Sequence, residues 1–462
     1  MFEALSAQNV GMPAIAILAT SGSISLFLVT AFLLFCCTPP FHAPARNLLQ
    51  PLFVALVENG IPTCRSAQQW QRPWLTKLLE FCSHSVSVGF YGSFLPALIW
   101  CGLPELGWHL VVLMTLTLYV GNAIKDLIAS PRPLNIKYGR QKIKALGSQG
   151  TEHLLNAQEY GFPSSHTMNS LALNYYAVHY LYEHNLLTTQ QAVFGYLAVA
   201  AWVAWIALSR LYLGLHTPVD ILGGALGGLT TVTFFTAIDP YLEGMMQSLT
   251  QAQVGVGVGL VSLILLRLHP KPPRYTPSFE FSTFFMGVLF GGMLGVNRMY
   301  DEFYVSPIVL KDVWGVVEGG GWGGVDNWRW KKAGMRLAIG FLLLIVCKEV
   351  SKAVFNVLLP ILYGACPITV RKLWQPPVGN LYKGKTPPSL SSSSRRRSYR
   401  GITTNKGGDD NADNHIKEMP LLACDDSGKP WDVKVTAGFF SYAAIGLAAF
   451  ELAPRVFIAF NL

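Results

Sequence analysis

Two histidines, one carboxylate and three basic residues recur in this sequence at spacings that suit chemistry on a phosphate group. They fall in three short clusters: Lys125-Asp126-Leu127-Ile128-Ala129-Ser130-Pro131-Arg132-Pro133, Tyr160-Gly161-Phe162-Pro163-Ser164-Ser165-His166, and Ser209-Arg210-Leu211-Tyr212-Leu213-Gly214-Leu215-His216-Thr217-Pro218-Val219-Asp220. A phosphate monoester carries up to two negative charges, which Lys neutralises and Arg can grip through two oxygens at once. Lys125, Arg132 and Arg210 are therefore candidate phosphate ligands. The spacing of seven would put Lys125 and Arg132 on one helix face, with Pro131 bending the chain between them. Ser164 and Ser165, with the backbone N–H groups of a helix beginning near His166, are candidate donors to further phosphate oxygens, because helix N-termini favour anions. His216 precedes Asp220 by four residues, so in a helical turn the two side chains are neighbours. A carboxylate there can hold one ring nitrogen and leave the other to attack phosphorus. His166 would then protonate the leaving alkoxide, a general-acid contribution of roughly 10²–10⁴-fold.

Taken singly, each cluster also has a plainer reading. Lys125 and Arg132 can be interfacial anchors that snorkel to water, Pro163-Ser164-Ser165 a helix cap, and His216 a satisfied polar residue at a helix start. Their placement along the apolar segments decides between the readings. Only 13% of residues are charged and 51% are hydrophobic, whereas a soluble domain carries about 25% charged residues. A membrane-crossing helix needs about 20 apolar residues. Candidate spans are 14–37, 84–103, 107–128, 167–183, 191–208, 217–238, 252–268, 281–296, 334–363 and 436–460, the 334–363 run being either one tilted helix or a span plus an interfacial piece. The fold class expected is all-α, a polytopic transmembrane helix bundle of eight to ten spans. The first cluster ends the 107–128 helix, the second begins 167–183, and the third joins 191–208 to 217–238, so all three reach the same membrane face. Ionisable groups at such positions are costly and usually functional.

The remaining organisation follows from composition. Residues 1–83 read as a span and a loop, 84–240 as the catalytic core, 241–374 as further helices, 375–434 as a disordered linker rich in Ser and Arg, and 435–462 as a last span. The leader Met1–Met12 carries Glu3 and no Lys or Arg, unlike a cleaved signal peptide. Small-residue pairs four apart, Gly223/Gly227, Gly224/Gly228 and Gly291/Gly295, allow close helix approach in lipid. The piece Gly319–Gly324 lacks the Lys-Ser/Thr of a phosphate loop and reads as a turn. No metal-ligand spacing is visible among eight Cys without a C-x-x-C pair, and Cys36, Cys37, Cys82, Cys101 and Cys347 read as apolar core residues. The net charge of +9 suits topology anchors and anionic head groups or phosphate substrates. It does not suit nucleic acid, because the basic residues alternate with membrane-length apolar runs.

The three clusters resemble the signature of the type 2 phosphatidic acid phosphatase superfamily: Lys, six residues, Arg-Pro; Pro-Ser-Gly-His; Ser-Arg, five residues, His, three residues, Asp. All three spacings match in order, with Ser165 where the family usually has Gly. Tyr119-Val120-Gly121-Asn122, Glu159-Tyr160-Gly161 and Ser278-Phe279-Glu280-Phe281 further resemble its sphingoid long-chain base-1-phosphate phosphatases. The resemblance implies that Lys125, Arg132, Ser164 and Arg210 bind phosphate, that His216 is the nucleophile oriented by Asp220, and that His166 is the general acid. It also implies no cofactor or metal, a lipid phosphate substrate among membrane lipids, and residence in the endoplasmic reticulum. A broader lipid phosphate phosphatase and a catalytically silent lipid-binding or transport relative are the alternatives. Counting Lys and Arg in the loops of the catalytic face puts that face in the cytosol, whereas the resemblance implies the lumen, and the lumenal face is the expectation adopted.

Overall fold

A computed structural model describes residues 38–136, 143–144, 146–147, 159–273, 276–304, 327–365 and 431–462. The candidate span 14–37, the Gly319–Gly324 piece, Cys36, Cys37 and the 375–430 part of the linker lie outside the described residues. All regular structure among the described residues is helical: α1 His42–Gln69, α2 Pro73–His84, α3 Val88–Trp100, α4 Pro104–Ile128, α5 Ser165–Glu183, α6 Thr189–Tyr212, α7 Pro218–Ser248, α8 Gln251–Leu268, α9 Ser278–Met299, α10 Asn327–Ala365, α11 Trp431–Leu447 and α12 Ala453–Ala459. Among the described residues six segments are long and apolar enough to cross a membrane, namely Pro104–Asn135, Thr189–Tyr212, Pro218–Ser248, Gln251–Leu268, Ser278–Tyr304 and Val433–Ala459. Each coincides with an expected span.

The other expected spans take different forms. The 84–103 stretch gives α3, an apolar helix of 13 residues. At 1.5 Å per residue it is about 20 Å long, short of a hydrocarbon core about 30 Å thick. The 334–363 run is one continuous helix, α10, with Lys348, Glu349 and Lys352 in its middle. The 167–183 stretch is α5, which carries His166, Asn169, Ser170, Asn174 and His179 and packs inside the bundle against α4, α6 and α7. The stretch before α3, read from sequence as a loop, is instead the helices α1 and α2. Val57, Gly60, Ile61 and Cys64 of α1 are buried at helical spacing, so one face of that helix turns inward.

Helix α4 is the axis of the bundle, packed against α1, α3, α5, α7 and α9, with 72% of its most apolar stretch buried. Leu110, Leu113, Leu118, Tyr176 and Phe235 fill one side, and Trp100, Trp108, Met293, Val296 and Phe450 another. Buried His109 of this axis has a polar partner on α5. The Tyr176 hydroxyl lies 2.8 Å from His109 Nδ1 and donates to Asp239 Oδ2 at 2.7 Å.

Small residues set the closest helix contacts. A methyl group at Gly224 would lie 2.5 Å from the Ser164 carbonyl oxygen, and one at Gly228 2.7 Å from that of Met168. One at Gly291 would collide with the Ala443 carbonyl of α11. The α7 stripe therefore carries the start of α5 directly on its backbone. Gly227 differs, because the nearest atoms there are the flexible Met168 Cε and Sδ, both at 3.4 Å. Gly224→Ala and Gly228→Ala are each expected to destabilise the protein by about 1–3 kcal/mol through overpacking, with Gly227→Ala close to neutral. Thermal melting in detergent compares the three, and equal losses would remove the stripe's directional role.

Candidate active site

Helix α4 stops where its last turn meets Ala129, which adopts a left-handed conformation (φ 55) and donates its N–H to the Lys125 carbonyl at 2.8 Å. The carbonyls at this terminus are taken up by α1. Arg46 donates to Asp126 O at 3.0 Å and Leu127 O at 3.1 Å, and Gln50 donates to Ala129 O at 2.9 Å. Lys125 and Arg132 therefore do not share a helix face: Lys125 is in the last turn of α4, and Arg132 follows the break in extended backbone. Both side chains are buried and still converge, because the chain reverses between them.

The three clusters are joined by hydrogen bonds between segments. Gly161 N–H of the second cluster donates to Ser130 O of the first at 2.9 Å. Ser164 N–H of the second donates to Asp220 O of the third at 2.9 Å. Arg132 Nη1 of the first donates to Leu215 O of the third at 3.3 Å. Each cluster is thus tied to the other two, and the expected site residues Lys125, Arg132, Ser164, Ser165, His166, Arg210, His216 and Asp220 come to one end of the bundle. His166 and His216 lie within electrostatic range of one another and of Lys125, Arg132 and Arg210.

The two basic residues of the first cluster hold a carboxylate. Lys125 Nζ lies 2.9 Å and Arg132 Nη2 3.0 Å from the same oxygen, Glu159 Oε2. Burial alone would push the Glu159 carboxyl up, but the charges of Lys125, Arg132 and Arg210 and the Lys125 hydrogen bond hold it below its ordinary 4.5. Arg210 is buried and donates to Ser83 Oγ at 2.6 Å. These groups make a compact site for an anion in a poorly solvated place, where charge-assisted hydrogen bonds are strong.

Ser164 caps α5. Its Oγ accepts from Thr167 N–H at 3.4 Å and from Thr167 Oγ1 at 3.1 Å, so the capping and anion-binding readings coexist: a hydroxyl that accepts these bonds still has a proton to donate. Ser165 Oγ is buried without a hydrogen-bond partner. Asp220 belongs to the capping box of α7: its Oδ2 accepts from Thr217 N–H at 2.7 Å and from Thr217 Oγ1 at 2.9 Å. His216 Nδ1 lies 3.7 Å from that same Oδ2, close enough for charge attraction but longer than a hydrogen bond. Burial, and then the charges of Arg132, Arg210 and Lys125, push His216 well below the ordinary histidine range. The ring is therefore neutral at physiological pH, as a nitrogen nucleophile needs to be. Its backbone carbonyl accepts from the Cys64 thiol at 3.3 Å, and burial pushes that thiol up to about 12 and keeps it protonated.

Sequence reasoning missed Glu159, Ser83, Cys64, Thr217 and the α1 cap. Glu159 stood out only as part of a family resemblance. Nothing in the periodicity of residues 38–83 marks Ser83 or Cys64 as site neighbours, since the contacts exist only once α1 and α2 fold over the end of the bundle. Among the described residues no group of three or more His, Cys, Asp or Glu side chains is placed to hold a metal ion.

Residues 106–243 match the PAP2 superfamily. The chain is 28% identical over 90% of its length to the lipid phosphate phosphatase delta of Arabidopsis thaliana, covering 91% of that protein. It is 22% identical over 90% of its length to a dihydrosphingosine 1-phosphate phosphatase of Schizosaccharomyces pombe, covering 92% of it. It is 30% identical over 46% of its length to the sphingosine-1-phosphate phosphatase 2 of Mus musculus, covering 56% of it.

If Glu159 serves as an internal anion, removing its charge leaves Lys125 and Arg132 buried without compensation. Glu159→Gln is expected to lower stability by up to about 3–5 kcal/mol near neutral pH. Because the Glu159 carboxyl is held below its ordinary value, its contribution is fully present above pH 4.5 and is lost as pH falls through the lowered value. Added inorganic phosphate should raise the melting temperature of the variant more than that of the wild type, by mass action at the unmasked cations. An identical phosphate response in both would show that the carboxylate and phosphate do not compete.

Proposed function

The chain carries a PAP2 superfamily domain over residues 106–243, and from that premise we propose that it is an integral membrane lipid phosphate phosphatase acting on sphingoid long-chain base 1-phosphates. The observation that carries the reading is the convergence of Lys125 and Arg132 on a single anionic oxygen beside two histidines. The names of the fission yeast and mouse relatives support the sphingoid substrate. The name of the Arabidopsis relative, which aligns over most of both chains, supports a second and broader reading that includes phosphatidic or lysophosphatidic acid. A catalytically silent relative is disfavoured by the presence of both His166 and His216 in the site.

In the proposed mechanism the substrate phosphate displaces the Glu159 carboxylate from Lys125 and Arg132, and Arg210 and the Ser164 hydroxyl take further oxygens. Burial and the charges of Arg210, Lys125 and Arg132 hold His166 well below the ordinary histidine range in the substrate-free site, so its proton arrives with the incoming phosphate, which gives it up on binding. His216 Nε2 then attacks phosphorus as the ester P–O bond breaks, and the leaving alkoxide takes that proton from His166. Asp220 stabilises the positive charge that develops on the His216 ring, the neighbouring charge attracting Nδ1–H. Water then attacks the phosphohistidine and gives a proton to His166 as the P–N bond breaks, which restores both histidines and releases phosphate. Three fixed cations supply the charge neutralisation that a divalent ion provides elsewhere, so the reaction is inferred to need no metal. The site is assigned to the lumenal face of the endoplasmic reticulum, following the family resemblance.

Purified protein with excess chelator is expected to release phosphate fastest from sphingoid base 1-phosphates. His216→Ala should abolish release, and His166→Ala should slow it by roughly 10²–10⁴-fold. The His166→Ala defect should shrink on an aryl phosphate, whose leaving group needs no proton. Wild-type turnover in His216→Ala would sink the mechanism, and preference for phosphatidic acid would favour the broader reading. A glycosylation acceptor engineered between residues 140 and 155 is expected to be modified. Its failure alongside a working control site would put the catalytic face in the cytosol.

A further inference from the structure

Glu159 is an unusual neighbour for a phosphate site. A carboxylate beside phosphate-binding cations competes with the substrate and, once displaced, is left next to a bound dianion. Its geometry indicates what else it can do. Both cations bind Oε2, and Oε1 accepts no hydrogen bond among the described residues. The Glu159 side chain is 16% exposed where those of Lys125 and Arg132 are 3% and 1% exposed, so it is the least buried member of the trio. Its own backbone carbonyl accepts from Arg132 Nε at 3.3 Å. That bond keeps the residue at the site even when its side chain turns away from the cations.

A carboxylate displaced at low dielectric needs a new positive partner, because a buried charge without one is strongly unfavourable. A sphingoid base 1-phosphate brings one. Its ammonium group sits on the carbon next to the one that carries the phosphate ester, and phosphatidic and lysophosphatidic acids have no cation there. Resting on the sphingoid reading above, we propose that Glu159 is the specificity-determining residue of this site. Its carboxylate moves from Lys125 and Arg132 to the ammonium of the substrate as the phosphate takes those cations. A substrate with the ammonium exchanges one set of ion pairs for another. A substrate without it leaves the carboxylate unpaired beside the phosphate, so the same residue that recognises one class disfavours the other.

The test compares sphingosine 1-phosphate with an analogue in which a hydroxyl replaces the 2-amino group, in the wild type, Glu159→Gln and Glu159→Asp. The readout is the ratio of kcat/KM for the two substrates, which a general loss of activity does not move. The ratio is expected to favour the amine in the wild type, to fall by about tenfold or more in Glu159→Gln, and to be partly kept in Glu159→Asp. If Glu159→Gln turns over too slowly to read, the ratio of Kd values for the same pair is measured in His216→Ala with and without Glu159→Gln. An unchanged ratio in both formats overturns the proposal. Equal use of amine and hydroxyl by the wild type also overturns it, while leaving the phosphatase reading intact. Hydrolysis of lysophosphatidic acid with no release from any sphingoid phosphate overturns the sphingoid reading itself, and the proposal with it.

Discussion

Lys125, Arg132 and Arg210 are buried at one end of a membrane helix bundle, and the rest of this end of the molecule is arranged around that fact. A cation taken out of water without a partner is strongly unfavourable, and the surroundings answer that cost differently for the three. Glu159 takes two of them and Ser83 accepts from the third. Lys125 also sits in the last turn of α4, where the negative end of the helix dipole favours positive charge. Arg46 of α1 takes the Asp126 and Leu127 carbonyls of that turn, and Gln50 takes that of Ala129 just beyond it. The same burial that makes the cations costly raises their attraction for a phosphate, so the expense and the function have one physical origin.

What holds the cations in register is a closed set of backbone and side-chain bonds between chain segments far apart in sequence. The first cluster binds the second through Ser130 and Gly161, the second binds the third through Ser164 and Asp220, and the third binds the first through Leu215 and Arg132. Gly224 lets α7 approach the Ser164 carbonyl closely enough for this arrangement. A second polar shell lies behind Lys125. Buried Asp126 accepts from Thr276 Oγ1 at 2.8 Å, and Asn122 donates to Ser278 O at 3.2 Å. These bonds pin the start of α9 to the end of α4, so helices outside the matched domain still help fix its central element.

Much of this was legible in the sequence for identifiable reasons. Among the described residues the six segments long and apolar enough to span a membrane announce themselves because hydrocarbon thickness demands length and apolarity together. The convergence of Lys125, His166 and His216 follows from alternating direction only when the shorter stretch 167–183, which is α5, is counted as well. The glycine pairs indicated close packing but not that Gly224 supports the Ser164 turn, because spacing alone does not say which partner a stripe meets. The helices α1 and α2 were not legible as such. Pro51, Pro62 and several charged residues interrupt any apolar run there, and their inward face is recognisable only from what it covers. Lys125 and Arg132 were expected to meet along one helix face. They meet because the left-handed Ala129 ends the helix and reverses the chain, a conformation that the Ala residue type does not advertise.

The relation between Asp220 and His216 shows how the scaffold divides labour within the third cluster. Two donors from Thr217 fix the orientation of the Asp220 carboxylate, and its backbone carbonyl is held by Ser164. Its direction therefore does not depend on the histidine ring. The His216 backbone is held independently, with its N–H directed at Arg210 O at 3.4 Å and its carbonyl taken by Cys64. Only the ring torsions are left to adjust across the 3.7 Å from Nδ1 to Oδ2. A carboxylate anchored this way acts as a fixed negative potential beside a neutral ring. Its attraction is weak while the ring is uncharged and grows as the far nitrogen bonds to phosphorus and the ring becomes positive. Stabilisation that rises as charge develops is what lowers a barrier. The long contact is therefore consistent with the proposed role, because a tight ion pair formed beforehand would have favoured the protonated ring, which cannot attack.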